Sequence, residues 1–584
     1  MNKTTKSLIQ VENLHFKYTG RKIAALSGVN VEISEGETVL LLGSSGSGKS
    51  TLALSFNGLI PQKISGKMSG SVFISKMNTK ETYISSLTQE VGILFQDPES
   101  QFVTMTVEDE ITFGLENLCI HRQKMDNLID DALKQVGMLH CRHRQLDELS
   151  GGEKQRLAIA CLLAMQPKIL IFDEPTANLD PIGTQQVFET IAKLKQTGKF
   201  TIIIIEHKLD ELMDLIDRVL VLSAKGTVVY DGSPEVIFND KVSDLLQYGV
   251  WIPQTVCLAH KIRLFGVEIP SLPLTITQAE QTLKKVLPHI NKNSFNFCCD
   301  DCDGKPSIIE VRNLSFKYNQ KTIIRDVNLN IIEGDFLALV GPNGAGKTTL
   351  AQLLMGILRQ QKGKILLNNM DISKIAYKEL IKQVGFVFQN PEHQIITDSV
   401  EHEVSYGLQV MGLAEDEIKT RTDYLLTKFG LKQLAKANPF TLSHGEKRRL
   451  SVATMLAVGQ KILILDEPTF GQDQRNADNL MQMLKSLHGE GCTVIMVTHD
   501  MALVAEYAKH VAVMIDGQIY FYGTVKEVFT QPELLAKANL TLPPIAELSR
   551  CLTEKNTDWP EFFTISQFLE LLKTVPYLDK GITQ

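Results

Sequence analysis

The sequence predicts an α/β protein in which one folding unit is repeated, each copy with a largely parallel central sheet and an early antiparallel portion. Two observations support this prediction. Segments of the first half recur in the second at an offset near 293, such as LIFDEPTANLD at 170–180 and LILDEPTFGQD at 463–473. In each copy, short apolar runs alternate with amphipathic helical patterns, which is typical of a parallel sheet connected through helices.

The elements of one copy follow from local patterns along the chain. Short alternating segments that meet turn residues around 8–35 predict the antiparallel portion. The apolar run TVLLLG at 38–43 predicts a buried strand that leads into a glycine-rich loop and then a helix. The runs KILIFD at 168–173 and FTIIIIEH at 200–207 predict two further buried strands.

The repeat also predicts the domain boundaries. We expect a first domain over 1–290 with a C-terminal appendage from about 241, and a second domain over 306–584 with an appendage from about 531. The polar segment 291–305 between them reads as a linker. It carries three close cysteines, for which a solvated linker is the favoured interpretation and a metal or redox role the alternative, because no second ligand cluster lies nearby in the sequence: Cys298, Cys299 and Cys302.

Composition narrows the class of protein. The 584 residues are 43% hydrophobic and carry a net charge of -7, which argues against a dedicated nucleic-acid binder. No apolar run reaches the roughly 18 residues of a membrane span, and the N-terminus lacks the apolar region of a signal peptide. The nine cysteines are mostly scattered, which favours a reducing compartment. These features predict a cytosolic multi-domain protein.

A glycine-rich loop in each half fits the pattern G-x-x-x-x-G-K-[ST]. Its glycines allow backbone N–H groups to surround phosphate oxygens, and the following helix N-terminus favours an anion. The lysine places a charge at the β- and γ-phosphates, and the next hydroxyl is suited to Mg²⁺. The predicted loop residues are Gly43, Ser44, Ser45, Gly46, Ser47, Gly48, Lys49, Ser50 and Thr51, and Gly341, Pro342, Asn343, Gly344, Ala345, Gly346, Lys347, Thr348 and Thr349.

Acidic pairs follow an apolar strand in each half, as Asp173-Glu174 and Asp466-Glu467. One carboxylate of each pair is suited to Mg²⁺, and the other to polarising a water that attacks phosphate. A helix N-cap acid is the structural alternative. His207 and His499 end the next predicted strands, where a histidine could contact the γ-phosphate and hold the water, although a lone histidine at a strand end is more often structural.

With these motifs, both halves resemble the nucleotide-binding domain of ATP-binding-cassette proteins over essentially the whole chain. The resemblance rests also on the signature segments LSGGE at 149–153 and LSHGE at 442–446. It implies two tandem P-loop NTPase domains, each with a mixed central sheet and a helical signature subdomain, that bind ATP and Mg²⁺ and hydrolyse ATP. The signature residues expected to contact nucleotide are Ser150, Gly151, Gly152, Ser443 and Gly445.

In this family, two domains pack head to tail and bury two ATP molecules between them. The resemblance therefore implies one site that pairs Lys49, Glu174 and His207 with Ser443 and Gly445. It also implies a second site, which pairs Lys347, Glu467 and His499 of the second half with Ser150 and Gly152 of the first half.

The remaining family positions transfer one by one. Tyr18 and Tyr318 resemble the aromatic residue that stacks on adenine, with a core tyrosine as the alternative. Gln96 and Gln389 resemble the glutamine that reaches Mg²⁺ and the water and senses the transport partner. The metal ligands implied by the resemblance and the motifs are Ser50, Gln96, Asp173, Thr348, Gln389 and Asp466. Asp180 and Asp473 match the aspartate of the following loop.

The second half departs from the family pattern at two places. His444 stands where the family usually has glycine, and the loop Phe470-Gly471-Gln472-Asp473 replaces Ala177-Asn178-Leu179-Asp180. A side chain at 444 could crowd the nucleotide or donate a hydrogen bond to it. We therefore predict two competent but unequal sites, with the one that uses Ser443 the weaker.

After each glutamine, an acidic-proline turn precedes an amphipathic helix, with Thr106 and Asp398 as expected N-caps. This arrangement and the domain appendages resemble the ATPases of energy-coupling-factor importers. The resemblance implies a peripheral protein on the cytoplasmic face of the cell membrane, with a transmembrane coupling subunit and a substrate-binding membrane subunit as partners and no nucleic acid. It further suggests a vitamin, a precursor such as hydroxymethylpyrimidine or thiamine, or a metal ion as the cargo.

Two alternatives remain at this stage. One is the ATPase of an exporter, because the subclasses of the family are weakly separated by sequence. The other is a soluble tandem-cassette factor that acts on ribosomes or nucleic acid. The balanced charge of residues 240–305 argues against the second, since such factors tend to carry a long charged arm between domains.

Overall fold

The computed structural model describes residues 7–177, 179–287, 306–555 and 559–573. These residues divide into two compact units, the first up to 287 and the second from 306, except that residues 473–475 group with the first unit. The cysteines of the predicted linker and Asn178 lie outside the described residues. None of the described helices is both long and apolar enough to cross a membrane.

The first unit contains two sheets. Four strands form an antiparallel sheet in the order β2-β1-β4-β5, and six form the central sheet in the order β10-β9-β3-β8-β7-β6. The strands are β1 Ser7–Tyr18, β2 Leu26–Ser34, β3 Thr38–Gly43, β4 Gly66–Ile74, β5 Met77–Asn78, β6 Val91–Leu94, β7 Ile169–Asp173, β8 Thr201–Ile205, β9 Arg218–Leu222 and β10 Val228–Gly232.

The helices of the first unit fall into three groups: those that pack on the central sheet, those that form a helical subdomain from α4 to α6, and those of the C-terminal appendage. They are α1 Lys49–Phe56, α2 Leu59–Gln62, α3 Ile84–Leu87, α4 Val107–Asn117, α5 Arg122–Gln135, α6 Gly151–Ala164, α7 Pro181–Gln196, α8 Pro234–Asp240, α9 Val242–Gln247, α10 Gln254–Leu264 and α11 Ile276–Val286.

The second unit repeats this arrangement. Its antiparallel sheet has the order β12-β11-β14-β15, and its central sheet has the order β16-β17-β18-β13-β19-β20. The strands are β11 Ser307–Tyr318, β12 Lys321–Ile332, β13 Phe336–Val340, β14 Lys362–Leu367, β15 Met370–Asp371, β16 Val384–Val387, β17 Ile462–Asp466, β18 Thr493–Val497, β19 His510–Ile515 and β20 Gln518–Thr524.

Among the described residues, its helices follow the order of the first unit except that α2 has no helical counterpart here and α18 has no α-helical counterpart there; the subdomain runs from α14 to α16 and the appendage from α19 onward. They are α12 Lys347–Leu354, α13 Tyr377–Leu380, α14 Val400–Val410, α15 Glu415–Lys428, α16 His444–Leu456, α17 Gln474–Gly489, α18 Met501–Tyr507, α19 Val525–Phe529, α20 Pro532–Lys537, α21 Pro544–Lys555 and α22 Ile565–Lys573.

The central sheets are parallel except for the last edge strand. In the first unit β3 pairs in parallel with β8 and β9, while β10 is antiparallel to β9. Every residue of β3, β7 and β8 is buried, as expected for a parallel sheet that is covered by helices on both faces. The predicted α/β fold with an antiparallel portion is therefore observed in both units.

The acidic-proline segments lead into helices α4 and α14 as predicted, but one of the two expected N-caps is wrong. Thr106 caps α4 and accepts a hydrogen bond from the backbone of Asp109. The cap of α14 is Ser399 rather than Asp398, because the Ser399 hydroxyl accepts from the backbone of His402. Both residue types suit an N-cap, so local sequence could not choose between neighbours.

Candidate functional site

The glycine-rich loop of each unit lies between a central strand and a short helix. Gly48 and Gly346 precede helices α1 and α12 with φ of 99° in both cases, a conformation that favours glycine. A Cβ atom at Gly48 would lie 2.5 Å from the carbonyl oxygen of Ala25, so only glycine fits there. The predicted loop segments 43–51 and 341–349 therefore form the turn between strand and helix that a phosphate-binding loop requires.

The lysine of each loop is buried and folds back over the loop backbone. Lys49 Nζ donates to the carbonyl oxygens of Gly43 at 2.8 Å and Ser44 at 3.0 Å. Lys347 Nζ donates to those of Gly341 at 2.7 Å and Pro342 at 2.9 Å. Burial lowers the pKa of Lys49, although the carboxylates of Glu174 and Asp173 oppose this effect. The ammonium group is thus held inside the loop, where a phosphate would lie.

The aspartates at the ends of β7 and β17 are buried carboxylates. Burial raises the pKa of Asp173 and of Asp466 to about 6 in each case, and the neighbouring glutamates add to the effect. Asp466 Oδ2 accepts a hydrogen bond of 2.8 Å from the Thr348 hydroxyl. A buried oxygen set of this kind fits a hard divalent cation such as Mg²⁺, because the cation would offset the cost of burying the charge.

The following glutamates have a left-handed backbone and pair with the predicted histidines. Glu174 has φ of 49° and Glu467 has φ of 45°. His207 Nε2 lies 3.1 Å from Glu174 Oε1, while His499 Nδ1 lies 2.7 Å from Glu467 Oε1. Burial would raise the pKa of Glu467, but the charge and hydrogen bond of His499 hold the pKa below its usual value. Glu467 is therefore kept ionised beside a histidine, as a group that accepts a proton from water requires.

The two glutamines occupy different settings. Gln96 Nε2 donates to Glu174 Oε2 at 2.7 Å, so the amide is bound to the carboxylate. Within the described part of the chain, the Gln389 side chain makes no such bond to Glu467. In the second unit the backbone of Gln389 is bonded instead to the side chain of Arg448. Arg448 is not among the site residues predicted from the sequence, because nothing in its local sequence pattern marks it.

Glu206, next to His207, is a second site residue that the sequence did not predict. Its Oε2 accepts from the Thr176 hydroxyl at 2.7 Å, and its Oε1 accepts from the backbone of His207 at 2.7 Å. The buried carboxylate thus connects the loop after Glu174 with the loop that carries His207. The second unit has Thr498 at this place, whose hydroxyl donates to Glu467 Oε2 at 3.2 Å.

The signature serines cap helices α6 and α16. Ser150 accepts from the backbone of Glu153 while the Glu153 side chain bonds the backbone of Ser150, and Ser443 and Glu446 repeat this capping box. Gly151 and Gly152 form the first turn of α6, and Gly445 lies in the first turn of α16. A Cβ at Gly445 would lie 2.5 Å from the Asn476 side chain, so glycine is required by packing there.

His444 is turned toward the loop of its own unit. Its Nε2 lies 3.1 Å from the carbonyl oxygen of Phe470, and its ring lies close to Gly471, where φ is 67°. A Cβ at Gly471 would be 3.4 Å from the ring. Burial lowers the pKa of His444. The histidine and the glycine are thus complementary, and the ring's hydrogen bond is made within the second unit.

A cavity of about 540 Å³ in the second unit joins several predicted site residues. Thr348 of the glycine-rich loop and Asp466 line it, together with Gln389, His444 and Phe470. The tertiary structure therefore brings the loop hydroxyl, the buried carboxylate and the glutamine to one space at the carboxyl ends of the parallel strands, where open α/β sheets bind ligands.

The surroundings of the two predicted adenine-stacking tyrosines differ, and the aspartates of the loops after the predicted catalytic acids lie at or near the start of a helix. The Tyr18 hydroxyl lies 3.0 Å from Thr51 Oγ1, and the Tyr18 ring meets Phe16 edge-on at 4.9 Å. Tyr318 is 45% exposed, as a residue that stacks on a base would need to be. Asp180 caps α7 by accepting from the backbone of Gly183 at 2.8 Å, and Asp473 is buried.

Comparison with known proteins identifies both halves. The family model described as "ABC transporter" matches residues 26–177 and 324–470. A protein of Bacillus subtilis (strain 168) named "Putative HMP/thiamine import ATP-binding protein YkoD" is 41% identical over 92% of this chain and 96% of its own length. A Methanosarcina acetivorans protein named "Putative ABC transporter ATP-binding protein" is 39% identical over 98% of this chain and 95% of its own length.

Among solved structures, cbiO1 from Clostridium perfringens, described as part of the ABC transporter complex cbiONQ, is 37% identical. It covers 42% of this chain and 100% of its own, with a TM-score of 0.37, which is too low to support a comparison of architecture. The family model and the two relatives confirm the resemblance to ATP-binding-cassette proteins and the tandem arrangement of the two domains.

Proposed function

Because the chain belongs to the ABC transporter family, whose ATP-binding subunits are ATPases, we propose that it is the ATP-hydrolysing subunit of an importer of the energy-coupling-factor type. The observation that carries this proposal is its identity of 41% over 92% of the chain to a relative named for HMP/thiamine import. The proposed cargo is accordingly a micronutrient, namely a vitamin, a vitamin precursor such as hydroxymethylpyrimidine or thiamine, or a metal ion.

The proposed chemistry is the same in both halves. Glu174 and Glu467 accept the proton of the attacking water, and His207 and His499 hold those carboxylates by hydrogen bonds of 3.1 Å and 2.7 Å. The loop backbones and their lysines bind the phosphates. Mg²⁺ would neutralise charge on the β- and γ-phosphates, and the residues proposed to hold it are Ser50, Gln96, Asp173, Thr348, Gln389 and Asp466.

The remaining site residues are proposed to complete nucleotide binding. Tyr18 and Tyr318 stack on adenine, and the capped N-termini at Ser150 and Ser443 present backbone N–H groups to a phosphate. The head-to-tail pairing of the two domains stays a prediction of the family resemblance.

We propose that the surface at the start of α4 and α14 contacts the transmembrane coupling subunit. Val103 and Ile396 occupy equivalent positions of the two halves and are 63% and 65% exposed, although both are large apolar residues. Phe113 and Tyr406, also equivalent, are exposed on the helices that follow. Matched apolar side chains left in solvent in both halves support docking of apolar partner helices. A peripheral position on the cytoplasmic face and a separate substrate-binding membrane subunit complete the proposal.

The test is co-purification from membranes and uptake of labelled hydroxymethylpyrimidine or thiamine. The variant V103E/I396E is expected to lose the membrane partner and uptake while it keeps ATP hydrolysis, because a charge opposes apolar docking. Leu264→Glu is the matched control, since Leu264 is 75% exposed on appendage helix α10. Recovery of ribosomes without a membrane protein would favour the soluble-factor alternative, and labelled substrate that accumulates outside the cell would favour an exporter.

A further inference from the structure

Arg448 is a fully buried arginine in helix α16 of the second unit, with 0% exposure. Its guanidinium donates to three main-chain carbonyl oxygens. Nη1 donates to Phe388, and Nη2 donates to Gln389 at 2.5 Å and to Glu467 at 3.1 Å. The planar fork of an arginine suits several acceptors at fixed angles. One side chain therefore joins the signature helix to the segments that carry Gln389 and Glu467.

Burial of the Arg448 guanidinium is energetically costly. A buried charge is unfavourable unless hydrogen bonds and opposite charges compensate for it. Burial lowers the pKa of Arg448 to about 10, even though the carboxylates of Asp466 and Glu467 oppose the effect. A neutral side chain of similar size would avoid this cost.

The first half shows that the fold accepts such a neutral side chain. The equivalent residue in α6 is Gln155, which is 1% exposed and makes no side-chain hydrogen bond to the described residues. The lysine that precedes this position forms a salt bridge in both halves, as Lys154–Glu99 at 2.6 Å and Lys447–Glu392 at 2.5 Å. The two helices therefore share this salt bridge, and the arginine is present only in the second half.

The two halves connect the glutamine segment to the glutamate in different ways. In the first, the Gln96 amide bonds the Glu174 carboxylate at 2.7 Å. In the second, Arg448 bonds the main chains of Gln389 and Glu467. Glu467 has φ of 45°, a conformation that must be held by its surroundings, and its N–H donates to Val497 O at 2.9 Å. Arg448 holds its carbonyl from the opposite side.

We propose that Arg448 is a positioning residue for ATP hydrolysis in the second half. Its hydrogen bonds fix the backbones of Gln389 and Glu467 relative to each other. A movement of α16 would therefore move both segments. It touches no part of the predicted phosphate loop in the described contacts, so its effect falls on the rate of hydrolysis rather than on ATP binding. This inference rests on the role proposed above for Glu467.

The test uses the full chain with the first half inactivated by Glu174→Gln. In that background Arg448→Gln, which installs the side chain of the first half, is expected to lower kcat for ATP by about tenfold to a hundredfold, because small misplacements of catalytic groups cost that much. KM and the MgATP-induced rise in melting temperature are expected to stay within about twofold of the background values. Arg448→Lys, a charge without the planar fork, is expected to recover kcat only in part.

The matched control is Gln155→Met in a Glu467→Gln background, expected to leave kcat unchanged since Gln155 makes no hydrogen bond there. An unchanged kcat in Arg448→Gln, or a rise in KM alone, would overturn the inference. The inference would also be overturned if Arg448→Lys recovers kcat and the melting temperature to the same degree. That result would mean that Arg448 acts only through the stability of the protein. The double variant Glu174→Gln/Glu467→Gln separates the two claims: if it retains the single variant's rate, the role of Glu467 itself is wrong.

Discussion

The two halves of the chain share one frame but hold their glutamates differently. In the first half, Gln96 binds the Glu174 carboxylate directly, and a buried Glu206 joins the two neighbouring loops. In the second half, Arg448 holds the main chains, and Thr498 takes the place of that acid. Repeated motifs therefore do not imply equal sites, because side chains outside the motifs decide how each glutamate is held.

This comparison predicts unequal contributions to hydrolysis. The double variant E174Q/E467Q is expected to lose about 10²- to 10⁴-fold in ATPase rate, the usual contribution of general base catalysis. Of the single variants, E467Q is expected to retain the lower activity. The reason is that the remaining Glu174 has its Oε2 engaged by Gln96 at 2.7 Å and must be released before it accepts a proton.

The measurement is steady-state ATP hydrolysis by the full chain, with ATP binding followed separately so that a binding defect is recognised. Equal residual rates in E174Q and E467Q would remove the asymmetry.

The signature caps are predicted to be equal in the two halves. Ser150→Ala and Ser443→Ala each remove a capping box and are expected to lower the free energy of unfolding by about 1 kcal/mol. Both should also lower hydrolysis. Thr524→Ala is a matched control, because Thr524 forms a capping box with Glu527 in the appendage helix α19. It should reduce stability without loss of activity per folded molecule. Denaturant titration measures the free energies of unfolding. A much larger loss of stability for one of the two serine variants would contradict the prediction that the caps are equal.

One pair beside the central sheet contains a histidine only in the second half, so its contribution to stability should depend on pH there. Arg218 lies 3.3 Å from Glu37 in the first half, and His510 lies 3.0 Å from Asp335 at the equivalent place in the second. The hydrogen bond to Asp335 raises the pKa of His510. Because the folded pKa lies above the unfolded one, this stabilisation is complete below the unfolded pKa and is lost as the pH rises through the folded value.

His510→Arg keeps its charge at all these pH values, so the free energy of unfolding of the variant relative to the wild type should increase with pH, by up to about 1 kcal/mol for a partly exposed pair. Denaturation curves between pH 6 and 9, a range about the ordinary histidine pKa, check this. A difference between variant and wild type that does not change with pH would contradict it.

The smallest effect concerns His444 and Gly471. We expect Gly471→Asn to be destabilising in the wild type and less so in His444→Gly, because a Cβ at 471 would lie 3.4 Å from the histidine ring. A double-mutant cycle should give a coupling of about 0.5 kcal/mol, the lower end for residues in contact. Additive effects would mean that the two departures from the family pattern are independent.

Much of the candidate site was readable from the sequence because its parts are continuous segments. A strand, a glycine turn and a helix carry Lys49 and Lys347, and a single strand end carries each Asp-Glu pair. Local patterns of this kind are governed by short-range backbone geometry and burial. Asp398 was predicted as the N-cap of α14, but Ser399 occupies that position. Both side chains suit an N-cap, and the backbone conformation decides which one forms the hydrogen bond.

The duplication, the α/β fold and the groups proposed to meet phosphate could all be predicted from the sequence, because these depend on periodicity and on residue chemistry. The contacts that hold those groups in place depend on the tertiary structure. Arg448 reaches Phe388 and Glu467, 60 and 19 residues away along the chain, and Gln96 reaches Glu174 across 78 residues. Such contacts form when the sheet and the helical subdomain pack together. Their partners are therefore set by three-dimensional packing rather than by any local pattern.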